Sequence, residues 1–327
     1  KNSILYMDLE KCIQLDQYPD QYSFKQTLST ITVFFPAISQ SSVEVNIDLS
    51  DSSICAGIKG SNPSVCGIMY SRSYRHDESY SDGIYKITFS KENNEIWPIF
   101  IISPSTLHGI DPKSQFLLGF YKISTLSEES AFSYFKEASD RGFIPAQICV
   151  ADILMSDTNP YDVPKDVDSA IQILESIPIE RRTSRVAIHL SDALLEQNKP
   201  GEARHALEVS AEKFPEVKLS LIKMISPITN KNAIETDAVS AVNYLESLVS
   251  RGNAEAMKLL SMHLAKGKGI AKNKERAIEL EKEAHSIDPK IPIELTDHTV
   301  ATNLFISGMA SAALVGLFML AYRRNMR

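Results

Sequence analysis

Arg251-Gly252-Asn253-Ala254-Glu255-Ala256, then Leu259-Leu260, Gly267-Lys268-Gly269-Ile270, Asn273 and Ala277, is the stretch whose reading decides the fold. It lies between Ala241 and Ala284. It places small residues where two helices must approach and glycines where a helix must stop. A glycine after a helix accepts positive φ without a steric penalty, so the next helix begins at once and packs closely. Outward from this stretch, helices with an apolar face begin near Ala131, Ala170, Ala203, Ala241 and Ala277, at spacings of 39, 33, 38 and 36 residues. A period in the upper thirties is two helices and two turns, the unit of an α-solenoid, and stacked neighbours bury the face that one unit leaves open. In Ser130 to Ala138 the residues Ala131, Tyr134, Phe135 and Ala138 share one helical face. A second copy surrounds Ala131, Ala138, Arg141, Gly142 and Ala146, and a partial one is Gln115-Phe116-Leu117-Leu118-Gly119. Between Ser184 and Ile228 only the apolar periodicity remains.

Upstream, the pattern changes period. Thr30-Ile31-Thr32-Val33-Phe34, Val43 to Leu49, Ile54 to Ile58 and Gly83 to Phe89 alternate apolar and polar residues, which sets one face on a core and one in water. Turn-forming clusters separate them at Ser39 to Ser42, Ser50 to Ser53 and Gly60 to Pro63, and residues 71–82 read as a polar loop. The spacing predicts an antiparallel sandwich.

Downstream, Thr299 to Tyr322 contains no charged residue and ends in Arg323, Arg324, Asn325, Met326 and Arg327. At about 1.5 Å per residue such a helix covers the roughly 30 Å core of a bilayer. Leu304, Phe305, Leu314, Leu317, Phe318 and Leu320 would face lipid. The expected organisation is an N-terminal segment 1–17, a sandwich 18–102, helical repeats 111–288, a linker 289–298 carrying Ile291-Pro292-Ile293, a transmembrane helix 299–322 and a basic tail 323–327. The fold class is therefore multidomain: β-sandwich, all-α solenoid and one membrane span.

Composition narrows the function. Net charge is −7 without a basic run outside the tail, which argues against a nucleic-acid partner. The four cysteines, Cys12, Cys55, Cys66 and Cys149, lack metal-ligand spacing and read as inert thiols. No Asn-x-Ser/Thr acceptor occurs, since Asn62-Pro63-Ser64 carries the excluding proline. The sequence has no nucleophile elbow, phosphate loop, dinucleotide fingerprint or HExxH. Gly267-Lys268-Gly269 is a turn between helices. His189, His205 and His263 fall in helices without a ligand pair, and His76, Asp77 and Glu78 lie in the polar stretch. The expectation is a protein without enzymatic activity, cofactor, metal or small-molecule substrate.

Two resemblances sharpen this. Tyr22-Ser23-Phe24-Lys25-Gln26-Thr27-Leu28, Val43 to Ile47, Gly57 to Gly60, Cys66 to Tyr70, Ile87-Thr88-Phe89-Ser90-Lys91 and Trp97-Pro98 stand in the order seen in the CS domain, and the stretch resembles its nuclear-movement (NudC-type) branch. Phe24 stands where that family has a tryptophan, and Ile96 replaces the first of a tryptophan pair. The resemblance implies a co-chaperone whose partner is the 90-kDa heat-shock chaperone or its clients. The helical region resembles Sel-one-like repeats, relatives of the tetratricopeptide repeat, which implies a protein-interaction scaffold.

Candidate partner-binding residues follow. Tyr134, Tyr161 and Tyr244 would line the concave face of the solenoid, or else pack between helices. Arg72, Arg75 and Lys91 would meet an acidic partner, or else serve as solubilising charge. Trp97 is either a ligand platform or sandwich core. Two topologies stay open. One is a cytosolic tail-anchored adaptor on the mitochondrial outer membrane, peroxisome or endoplasmic reticulum. The other is a lumenal quality-control scaffold, which the positive-inside rule favours because of Arg323, Arg324 and Arg327.

Overall fold

The structure, a computed structural model, describes residues 22–125, 131–230 and 237–295. The segment 1–17, the span 299–322 with Leu304, Phe305, Leu314, Leu317, Phe318 and Leu320, and the tail lie outside the described residues. Among the described residues no helix is long and apolar enough to cross a membrane. The described residues fall into two compact units, divided between Ala206 and Leu207, inside a helix.

The first unit opens with eight strands: β1 (Ser23–Gln26), β2 (Thr30–Pro36), β3 (Val43–Asp48), β4 (Ser53–Ile58), β5 (Val65–Met69), β6 (Ser73–Ser81), β7 (Ile84–Lys91) and β8 (Ile101–Ser103). They make two antiparallel sheets, ordered β1-β2-β7-β6 and β3-β4-β5-β8, that share one core. Strict alternation builds it. Ile31, Val33 and Phe35 of β2 are buried opposite Phe89, Ile87 and Tyr85 of β7.

Within residues 71–82, expected as a loop, Ser73–Ser81 instead form edge strand β6. The hairpin joining it to β7 turns on Asp82 and Gly83, both at positive φ (53° and 76°), with Ser81 paired to Ile84. Two central residues at positive φ match the twist of the flanking strands. The strand escaped a period-2 reading because most of its residues are exposed on both faces, so no apolar alternation marks it.

Ten α-helices follow among the described residues: α1 (Pro112–Thr125), α2 (Ala131–Asp140), α3 (Ile144–Met155), α4 (Val167–Glu175), α5 (Ser184–Glu196), α6 (Pro200–Ala211), α7 (Pro215–Ile225), α8 (Ala238–Val249), α9 (Ala254–Lys266) and α10 (Lys274–Ile287). In the first unit each helix from α1 to α5 packs on the next, and α3 also packs on α5. In the second, α7 to α10 pack in succession. The five alanines that set the sequence period, Ala131, Ala170, Ala203, Ala241 and Ala277, are all 0% exposed. The stretch from Ser184 to Ile228, where the sequence showed only periodicity, forms three helices, α5, α6 and α7.

The turns repeat as well. After α2 the N–H of Phe143 bonds to Ala138 O at 3.1 Å, and after α8 that of Asn253 bonds to Leu248 O at 3.1 Å. Asp166, Asp237 and Asn273 each cap the following helix by accepting the N–H three residues on. Each also donates its own N–H to the preceding helix, at 2.8, 2.8 and 3.0 Å. The same frame at three joints fixes how one helix pair hands over to the next. Gly269 belongs to this device in the second unit: a side chain there would start 2.1 Å from Ala238 O, and its φ is +75°.

One joint of the second unit is titratable. His263 is buried, with Nδ1–H donating to Lys268 O at 2.7 Å and Nε2 accepting from Ser226 Oγ at 2.8 Å. Burial pushes its pKa below the ordinary 6.5, against the opposing effect of the Lys268 hydrogen bond. The unfolded chain therefore binds the proton first as pH falls. Stability of this unit is expected to decline below about pH 6.5, by at most about 1.4 kcal/mol per pH unit, until the folded-state value is passed. Urea midpoints of the full chain between pH 7 and 5, compared with His263→Gln, check this; equal slopes would contradict it.

Candidate partner-binding sites

The residues that carry the resemblance in the sandwich converge in space, but inward. Gln26 Nε2 donates to Trp97 O at 2.9 Å, and Gln26 Oε1 accepts the Trp97 N–H at 2.9 Å. Lys91 Nζ donates to Gln26 Oε1, Thr27 O and Glu95 O at 2.8, 2.8 and 2.7 Å, and sits 5.1 Å from the Trp97 ring centroid. Lys91 is 3% exposed and Trp97 1%. Both are therefore corrected as partner contacts: a side chain closed in the interior, with its donors used, has no surface to offer. They hold β1 and the segment after β7 against the core.

A second polar cluster joins the sandwich to α1. The carboxylate of Asp111 accepts the N–H groups of Cys66 and Ser114, each at 2.9 Å. Lys113 Nζ donates to Tyr22 O, and Tyr22 Oη lies 2.8 Å from Ser114 Oγ. Burial pushes Lys113 down to about 7 and raises Asp111 above the usual carboxylate range. Leu117, Leu118 and Tyr121 of α1 pack against the sandwich core. Cys66 opposes Cys55 across β4 and β5, and both are buried free thiols; Cys149 is buried as well. The hydrogen bond with Cys55, and then burial, push the Cys66 thiol up and make it a poor nucleophile.

Arg72 and Arg75 are exposed, one before and one within edge strand β6. Arg75 pairs with Asp77 at 2.7 Å, with both side chains largely in water. Tyr74 beside them is also exposed. A strand edge with exposed aromatic and basic side chains is a surface onto which an extended acidic segment can be added.

The three tyrosines separate. Tyr134 is half-buried against the sandwich core, and Tyr244 lies under Lys218 with Nζ 5.7 Å from its ring centroid. These two serve packing within their own units. Tyr161 packs against Phe132 and Phe135 and forms a wall of a cavity of about 150 Å³. Phe120, Ile123, Phe135, Ile153 and Pro160 add apolar lining, Ser156, Thr158 and Asn159 add neutral polar groups, and Asp152 reaches it from α3. Asp152 Oδ1 is 2.5 Å from His189 Nδ1 on α5, and both side chains are 26% exposed. The signal missed in the sequence was the run of phenylalanines at 116, 120, 132, 135 and 143, which forms one cluster around this space. The Asp152–His189 pair left no linear trace because its members sit on different helices. Among the described residues no group of three or more His, Cys, Asp or Glu is placed to hold a metal ion.

A β-sandwich followed by helix pairs of tetratricopeptide-like period defines a helical-repeat protein. No family model matches the chain, and no curated protein matches it. Solved structures do. A Sel1 repeat protein from Oxalobacter formigenes is similar over 54% of this chain and 72% of its own, at 20% identity and a TM-score of 0.42. A nuclear movement protein from E. cuniculi is similar over 25% of this chain and 99% of its own, at 18% identity and a TM-score of 0.23. YrrB, a TPR protein with an unusual peptide-binding site, is similar over 59% of this chain and 91% of its own, at 16% identity and a TM-score of 0.35.

Proposed function

We propose that this chain is an adaptor without catalytic activity that holds protein partners at a membrane surface. The helical repeats are its partner-binding part, the sandwich is a CS-type module that contacts the 90-kDa heat-shock chaperone, and residues 299–322 are the anchor. The observation that carries the reading is the repeated helix-pair frame, with its buried alanines and recurring Asp/Asn caps, because a stack of such pairs offers an extended binding surface rather than a reaction pocket. The uncharged run before Arg323 supports the anchor. A lumenal quality-control scaffold is the second reading, favoured by the arginines after the run. Protease treatment of intact organelles separates the two: digestion of an N-terminal epitope without detergent supports the cytosolic adaptor, and protection supports the lumenal one.

The chaperone contact has its own test. Deleting the sandwich would strip the cover from Leu117, Leu118 and Tyr121 of α1, so a deletion confounds binding with folding. Charge reversal at the exposed pair, Arg72→Glu with Arg75→Glu, is the cleaner change. It is expected to cut co-purification of the 90-kDa chaperone at least tenfold, about 1.4 kcal/mol, while leaving the Trp97 emission unchanged. Undiminished co-purification would remove the co-chaperone reading and leave the adaptor reading in place.

A further inference from the structure

The cavity beside α1, α2 and α3 is more specific than a generic repeat surface. Its volume, about 150 Å³, is that of an engineered apolar cavity that stays dry and takes up benzene. Phe120, Ile123, Phe135, Ile153 and Tyr161 offer it apolar walls. Such walls gain by burying a ring, while Ser156, Thr158 and Asn159 add neutral polar groups to the lining.

Among the lining residues only Asp152 carries a charge. Asp152 lines the space and is bonded to His189 at 2.5 Å. Asp192, one turn further along α5, is electrostatically coupled to both of them, and burial together with the repulsion from Asp152 raises its pKa against the attraction of His189. Asp152 brings a carboxylate to this wall, and a carboxylate there favours a cation next to the guest.

We propose that this cavity receives a phenyl-sized side chain of a partner protein whose adjacent group is cationic, an aromatic residue next to a lysine or arginine. The inference rests on the adaptor reading above and supplies the chemistry of what the first unit binds. Tyr161 is then a cavity wall, and Asp152 the charged rim that sets the preference.

Two probes of equal shape and opposite charge test it on the full chain in detergent micelles: 2-phenylethylammonium and 3-phenylpropionate. Isoleucine methyl NMR reads the site, because Ile123 and Ile153 line the cavity while Ile222 is buried in the other unit. The ammonium probe is expected to shift the Ile123 and Ile153 methyls with a Kd of about 1 mM, an ordinary value for so small a ligand. The carboxylate probe is expected to bind about tenfold more weakly, and Asp152→Asn to bring the two within about twofold. Ile123→Trp, which fills the space, is expected to abolish the Ile153 shift. Acetyl-Phe-Lys-amide is expected to move the same methyls and acetyl-Ala-Lys-amide to leave them in place.

Equal affinity for the two charges in the unmodified chain would overturn the inference. So would equal binding of the two peptides, or still methyls at tenfold higher probe concentration. These measurements on the unmodified chain do not depend on whether a variant folds. Failure here would leave the adaptor reading standing, because that reading is judged by whether the chain carries a stoichiometric protein partner.

Discussion

Lys91→Ala is expected to lower the stability of the sandwich by about 3 kcal/mol or more. Its Nζ serves three acceptors at once, Gln26 Oε1, Thr27 O and Glu95 O, inside the protein. A hydrogen bond from a charged donor contributes roughly 1.5–3 kcal/mol, and an acceptor left buried and unmade costs its own desolvation. The loss spreads, because the Gln26 amide that Lys91 holds also grips both backbone groups of Trp97. Lys91→Met keeps the length of the stem over the indole but none of the donors, so its loss should lie below that of alanine and above zero. The chain supplies its own reporter: Trp97 is its only tryptophan and lies in this core. Urea unfolding followed by tryptophan emission therefore reads the sandwich alone. A change below about 1 kcal/mol for Lys91→Ala would contradict the interior role assigned to this lysine.

Glu281→Ala is the second large effect, and it acts on the exit from the repeats. Glu281 is buried on α10, yet its carboxylate is fully engaged. Oε1 accepts from Lys258 Nζ at 2.6 Å, while Oε2 accepts the N–H groups of Glu294 and Leu295 at 2.8 and 2.7 Å. Lys258 also donates to Pro292 O, and the His285 ring bonds Ile291 O. Residues 291–295, part of the expected linker 289–298, are strapped onto the last helix pair. Lys258 keeps Glu294 at 3.2 Å, but three hydrogen bonds to a buried carboxylate are lost, so a loss of about 3 kcal/mol is expected for this unit. Burial works against the Glu281 charge, but the Lys258 bond and the two amides outweigh it and hold its pKa below 4.5. The clamp is therefore at full strength above that pH and weakens as pH falls through the lower folded-state value. Hydrogen exchange at the Glu294 and Leu295 amides checks the mechanism: protection should collapse in Glu281→Ala. Unchanged protection would mean that something else holds the strap.

Much of this fold was legible because each signal had a physical cause that acts locally. Alanines at a spacing of two helices mark where helix axes approach, and all five proved fully buried. Alternation in β2 and β7 marks a sheet with one covered face. The signal failed where that cause is absent. Strand β6 is an edge whose residues are mostly exposed on both sides, so it read as a loop, although Asp82-Gly83 already marked its turn. Lys91 and Trp97 were legible as a pattern but not as a place. A lysine after a strand reads as surface, and only the fold shows three carbonyl-type acceptors closing round it. The cavity was the least legible feature. Tyr161 was singled out, but Asp152, His189, Phe120 and Ile153 meet only through the stacking of helices that are distant in sequence.

The central claim, that the chain carries protein partners at a membrane, is tested most directly by the mass of its native complex. The full chain would be solubilised gently from its own membrane and measured by size exclusion with light scattering, with the detergent contribution subtracted. The account predicts a protein mass above that of one chain, with a second polypeptide in fixed stoichiometry. A single chain in its micelle, with no stoichiometric companion, would contradict it.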